Sequence, residues 1–215
     1  MSSPANAPAP APPPGSRLAQ LRATPRTPGE ASFFYWDANF GRDAVRVLPG
    51  EFFVSQHDML IVTTLGSCIA ACLWDRERRI GGMNHFMLPD GDGGRYGSYA
   101  MEMLINSLLK RGATRATLEA KVFGGGAVIA EMASLNVGER NTRFVFDYLS
   151  AERIPLVSKD VLDRCVRKVC LLAASGKALV KRLTPANPAA LAAQEREAAE
   201  RAAPHARRGG TVDLF

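Results

Sequence analysis

The chain has 215 residues, 47% of them apolar, and a net charge of +6. That is length enough for one full-sized domain and too apolar for a disordered polymer. No run approaches the roughly 18 apolar residues of a membrane span, no apolar segment opens the chain as a secretory signal does, and the basic excess forms neither a Lys/Arg block nor the aromatic-basic interleaving of a nucleic-acid surface. A cytoplasmic protein follows, with neither nucleic acid nor direct membrane insertion in its function; a mildly basic face suits an acidic protein partner.

Residues 1–30 hold eight of the 14 prolines, in "PANAPAPAPPPG" and "TPRTP". They read as a disordered Pro/Ala-rich tail. The composition turns aromatic at "ASFFYWDANF", where an N-terminal arm packs on the domain. "VRVLPGEFFVSQ" and "DMLIVTTL" carry the β-branched and aromatic residues of strands. "CIAACLWD" reads as a buried strand closed by the charged turn "DRERR", and "IGGMNHFMLP" as the strand after it. Apolar spacing in "SYAMEMLINSLLKRG" predicts a helix with Ser98 as N-cap and Gly112 just past its end.

"ATLEAKVFGGGAVI" is a strand breaking into three glycines, and "NVGERNTRFVFDYLSAERI" a helix capped near Asn141. "DRCVRKVCLLAAS" and "KALVKRLT" make a hairpin about Gly176. The ordered domain therefore spans 31–183, and 184–215 forms an Ala-rich tail, mostly disordered or helical.

The four cysteines, Cys68, Cys72, Cys165 and Cys170, do not read as a metal site. Cys72 and Cys170 sit in strongly apolar runs, where a thiol behaves as a small hydrophobe. Neither a disulfide framework nor a cofactor is expected. Cys68 differs, because it follows Gly66-Ser67 at a strand end, where backbone N–H groups converge and can stabilise an oxyanion. A nucleophilic cysteine needs a base. Of the three histidines, His205 lies in the tail and His57 precedes a strand, whereas His85 lies on the strand after the cysteine's own. Antiparallel pairing of those strands makes Cys68 and His85 neighbours. A hydroxyl to orient the imidazole can come from Thr63 or Thr64, which point to opposite faces of a regular strand. Burial in a core explains a cysteine and a histidine equally well on this ground alone.

"LGSCIAACLWD", "GGMNHFMLPD", "EAKVFGGGAVI" and "LNVGERN" resemble, in order and spacing, the successive motifs of the CheD family, chemoreceptor glutamine deamidases of bacterial chemotaxis. The resemblance implies an α/β (α+β) sandwich, two packed sheets with helices outside, akin to the cytotoxic-necrotizing-factor type of deamidase. It implies a catalytic cysteine at Cys68, a histidine at His85 and a threonine at Thr63, with Thr64 as the competing position. Its partners would be chemoreceptor cytoplasmic domains and, in some members, a CheC-like phosphatase. The family's D-x-G-G loop is replaced here by "SKDVLDRC".

Ser67 and Gly66 are the expected oxyanion backbone. Gly124 and Gly125 are expected beside the substrate, where their backbone approaches the cysteine closely, since "FGGGAVI" lacks either phosphate-binding glycine pattern. Asn136, Arg140 and Asn141 are expected beside the substrate. Two other readings compete with the deamidase: a non-catalytic module that binds receptors or a CheC-like phosphatase, and a general Cys/His hydrolase, for which the same dyad would serve.

Overall fold

The computed structural model describes residues 13–88, 94–128, 136–183, 193 and 197. Ten strands and three helices are seen there: α1 (Leu18–Ala23), β1 (Phe33–Asp37), β2 (Arg42–Arg46), β3 (Phe52–Ser55), β4 (Leu60–Leu65), β5 (Ile69–Asp75), β6 (Ile80–Asn84), α2 (Gly94–Lys110), β7 (Leu118–Gly124), α3 (Val137–Ala151), β8 (Leu156–Val161), β9 (Val166–Leu172) and β10 (Ala178–Leu183). The strands form two mixed sheets of five, β3-β6-β5-β7-β8 and β1-β2-β4-β9-β10. This is the expected α+β sandwich.

Strand alternation sorts the side chains into layers. On β5, Ile69, Ala71 and Leu73 face α2 and α3 and join Leu104, Ile105, Leu108, Val145 and Leu149 in one core. Cys68, Ala70 and Cys72 face the second sheet and pack with Phe34, Val45, Ile61, Leu65, Val169 and Leu171. A strand covered on both faces must be apolar throughout, which is why "CIAACLWD" shows no alternation in sequence. Cys72 is core, as its setting suggested: burial pushes its thiol pKa up to about 12.

Several expectations need correction. Residues 13–30, expected as tail, pack on the domain. Ser16 Oγ and Arg17 N donate to Asp43 at 2.6 and 2.8 Å, and Leu18 enters the inter-sheet core. Arg26 lies over the rings of Phe34 and Phe53 at 4.7 and 5.6 Å and pairs with Glu30 at 3.1 Å. Proline content averaged over 30 residues hid this short amphipathic stretch. The aromatic "FFYWD" is itself an edge strand, antiparallel to β2.

Helix α2 begins at Gly94, so Ser98 is inside it rather than its cap, while Gly112 does take the left-handed backbone (φ 95°) past its end. Strand β8 was not foreseen: as an edge strand, parallel to β7, it exposes Val157, Ser158 and Lys159 in succession and so lacks the alternation of a half-buried strand. The segment 184–215 lies outside the described residues except at 193 and 197.

Leu18→Ala is expected to cost about 2–4 kcal/mol, the range for emptying a buried leucine site. Urea denaturation of the two proteins measures it; equal midpoints would mean that the arm adds nothing to the fold.

Candidate active site

The β5–β6 ladder continues beyond β6. Ile69 and Phe86 exchange both backbone hydrogen bonds at 2.9 Å. With Cys72 opposite Met83, the same register sets Ala70 opposite His85 and Cys68 opposite Met87. Cys68 and His85 are thus diagonal neighbours on the face turned to the second sheet, close enough for a ring to reach the next side chain. Both are buried, at 0% and 3% exposure.

Thr63 comes from the other sheet. It points inward on β4 and is buried, whereas Thr64 is exposed on the outer face. Thr63 Oγ1 lies 2.8 Å from His85 Nδ1 and 2.7 Å from the carbonyl oxygen of Val47. A hydroxyl has one proton, and the carbonyl can only accept it. Thr63 therefore donates to Val47 and accepts from His85 Nδ1–H. That tautomer leaves Nε2 as a lone pair. Nε2 is buried and makes no hydrogen bond among the described residues. Burial pulls the His85 pKa down to about 4, with the Val47 carbonyl opposing in part, so the ring is neutral near pH 7. A neutral imidazole with an open Nε2 beside a thiol is suited to accept the thiol's proton.

The turn before Cys68 is held by its carbonyls. Gly126 N donates to Gly66 O at 2.7 Å, Asn141 Nδ2 to Ser67 O at 2.9 Å, and Gly125 N to Cys68 O at 2.8 Å. A peptide is planar, so fixing a carbonyl also fixes the N–H on its other side. The N–H groups of Ser67 and Cys68 are oriented in this way. Gly124 and Gly125 have φ of 112° and 68°, and a Cβ at Gly124 would overlap the Cys68 carbonyl oxygen. The glycines serve close approach, as the sequence suggested.

Asn141 is not a helix cap. It is wholly buried inside α3. Its Oδ1 accepts from Leu88 N at 3.0 Å while its Nδ2 holds Ser67, so one side chain ties the segment after His85 to the segment before Cys68. Asn136 precedes α3 with a left-handed backbone (φ 50°) and is exposed. With Ser67, Gly125 and Gly126 it lines a cleft of about 230 Å³ that stops one residue short of Cys68. Arg140, half-buried in the first turn of α3, is not among that cleft's lining residues.

Two further groups escaped sequence reasoning. Tyr96 is nearly buried on α2, and its phenol pKa is raised first by burial and then by the nearby Cys68. Arg167, wholly buried, pairs with Asp160 at 2.8 Å across the two sheets and supports the β8–β9 turn behind Gly126. An arginine at an inward position of an apolar strand was the available signal. In that turn Leu162 and Asp163 have φ of 64° and 69°: the left-handed backbone stands here without glycines.

A protein of Albidiferax ferrireducens named probable chemoreceptor glutamine deamidase CheD 1 is 61% identical over 204 residues, 93% of this chain and 87% of its own length. The chain belongs to the CheD family. The CheD 1 protein of Dechloromonas aromatica, which has the same name, is 58% identical over 69% of this chain and 78% of its own. The family model "CheD chemotactic sensory transduction" matches residues 87–182, beginning just past His85. Among solved structures, the Bacillus licheniformis hypothetical protein YfiH covers 53% of this chain and 51% of its own, with a TM-score of 0.36 and 11% identity. No helix among the described residues is long and apolar enough to cross a membrane.

Thr63→Val removes the hydroxyl that links His85 Nδ1 to the Val47 carbonyl and is expected to destabilise by about 1–3 kcal/mol, against less than about 0.5 for Thr64→Ala. Equal small losses on urea denaturation would contradict the relay. His85 also ties stability to pH. Its folded pKa of about 4 lies below the ordinary 6.5, so between these values the unfolded chain binds the proton and the folded protein does not. Stability is expected to fall as pH drops from 6.5 to 4, by up to about 3 kcal/mol from this group. A His85→Gln variant loses that part of the slope; an identical slope would contradict it.

Proposed function

We propose that this CheD-family protein deamidates glutamine side chains of chemoreceptor cytoplasmic domains through a Cys68 thioester. The observation that supports this reading most is the pairing of His85 Nδ1 with Thr63, which leaves Nε2 as an acceptor on the face that carries Cys68. The names of the relatives supply the substrate class.

Cys68 Sγ–H gives its proton to His85 Nε2 as sulfur attacks the side-chain carboxamide carbon. The carbonyl π pair moves to oxygen, which accepts hydrogen bonds from the N–H groups of Ser67 and Cys68. Nε2–H then protonates the amide nitrogen, the C–N bond breaks and ammonia leaves a γ-glutamyl thioester. Water attacks that carbon while losing a proton to Nε2. Glutamate is released, and Nε2–H returns the proton to sulfur.

Thr63 holds the tautomer throughout and stabilises the ring when it is charged. Each turnover replaces a neutral amide by a carboxylate, adding repulsion between neighbouring helices of an acidic receptor bundle. An increment of a few tenths of a kcal/mol is enough to tilt a balanced two-state receptor.

Incubating a purified receptor cytoplasmic domain with wild-type protein should convert glutamine to glutamate by peptide mass spectrometry, and Cys68→Ala should convert none. Backbone cleavage instead would favour a general Cys/His hydrolase, and a stable complex without conversion a binding module. The acid limb of kcat/KM is expected near the His85 value of about 4. A limb at 6.5, the ordinary histidine value, would mean that the base is another group or a solvated one.

A further inference from the structure

The β8–β9 turn stores backbone strain in the wall of the candidate site. Leu162 and Asp163 both hold a left-handed backbone that side-chain-bearing residues disfavour. Two bonds impose it: Leu162 N donates to Gly124 O, and Ala127 N to Asp163 O, both at 2.8 Å. Leu162 is also 37% exposed, although it is a large apolar side chain. It lies where two clefts meet. One is the 230 Å³ cleft that ends at Ser67, and the other is a groove of about 340 Å³ beside Thr142, Arg143, Phe146 and Asp147. Leu162 and Glu139 line both.

Along α3 the lining residues Asn136, Glu139, Arg143 and Phe146 recur every three or four positions, so they form one helix face. From Asn136 to Asp147 that face runs about 16 Å. Glu139 and Leu162, common to both linings, stand between the inner cleft that ends at Ser67 and the outer groove. The exposed residues Glu139, Arg143 and Asp147, four apart, give that rim alternating charge. The outward strand positions Val157, Ser158 and Lys159 are not part of the lining, so the groove follows a helix rather than a sheet edge. One helix face with a single apolar knob opposite is the shape that ridge-into-groove packing of a second helix fills.

We propose that this groove seats the glutamine-bearing segment of the protein substrate as an amphipathic helix, with Leu162 as its apolar specificity contact. The proposal rests on the deamidase reading and extends it to how the substrate is chosen. It also explains why a strained leucine occupies a turn that glycine would fill without strain: the side chain is used by the partner.

The test compares wild-type protein with Leu162→Gly and Arg143→Glu on a purified receptor cytoplasmic domain. Each variant is expected to raise KM about 10-fold, with kcat within about twofold of wild type. Leu162→Gly should melt at or above the wild-type temperature, since glycine releases the strain. Unchanged KM in both folded variants would overturn the proposal. So would a fall in kcat matched by slower iodoacetamide labelling of Cys68 at constant KM, which would make the turn a scaffold for the nucleophile. If wild type converts no receptor glutamine, the deamidase reading fails. Calorimetry then judges the groove separately: weaker binding of the receptor domain to Leu162→Gly supports it, and equal or absent binding overturns it.

Discussion

The hydrogen bond between Thr63 and His85 joins the two sheets at the point where the chemistry is expected. It requires β4 of one sheet and the extension of β6 in the other to face each other across the sandwich, and it requires the Val47 carbonyl to take the hydroxyl proton. Given those two conditions, the imidazole has one tautomer and one open nitrogen. Burial then keeps that nitrogen unprotonated. The same low-dielectric core that packs Ala70, Met83 and Val169 therefore holds the imidazole neutral.

The rest of the site is arranged by backbone rather than by side chains. Three successive carbonyls, from Gly66 to Cys68, are held by Gly126, Asn141 and Gly125, so the cysteine turn has little freedom to relax. This rigidity follows from glycine at 124–126, where side chains would collide with the Cys68 and Cys165 carbonyls or with Thr142, and from one buried asparagine on α3. Preorganisation of this kind lowers a barrier by orienting dipoles before the charge develops.

Much of this was legible in the sequence. The short β5–β6 turn was enough to make Cys68 and His85 neighbours, and the period of two in β4 meant that only one of Thr63 and Thr64 could face them; the choice of Thr63 came from the family resemblance. The glycine run also signalled close approach. What could not be read were features that exist only after packing. Asn141 looks like a helix cap until its amide is seen between Ser67 and Leu88. Tyr96 gains its place beside Cys68 from the docking of α2. The arm at Leu18 was masked by prolines around it, and β8 by the missing alternation of an edge strand. The left-handed backbone at Leu162 has no sequence signal at all, since leucine rarely adopts it.

The protonation of His85 decides whether Cys68 has an acceptor for its proton. Nitrogen-15 NMR of histidine-labelled protein reads it directly. A proton on Nδ1 and a lone pair on Nε2 are expected to persist as pH is lowered from 8 through the ordinary histidine value of 6.5 towards the low value of about 4. A proton on Nε2, or an imidazolium forming near 6.5, would contradict this, because the ring would then have no acceptor to offer Cys68.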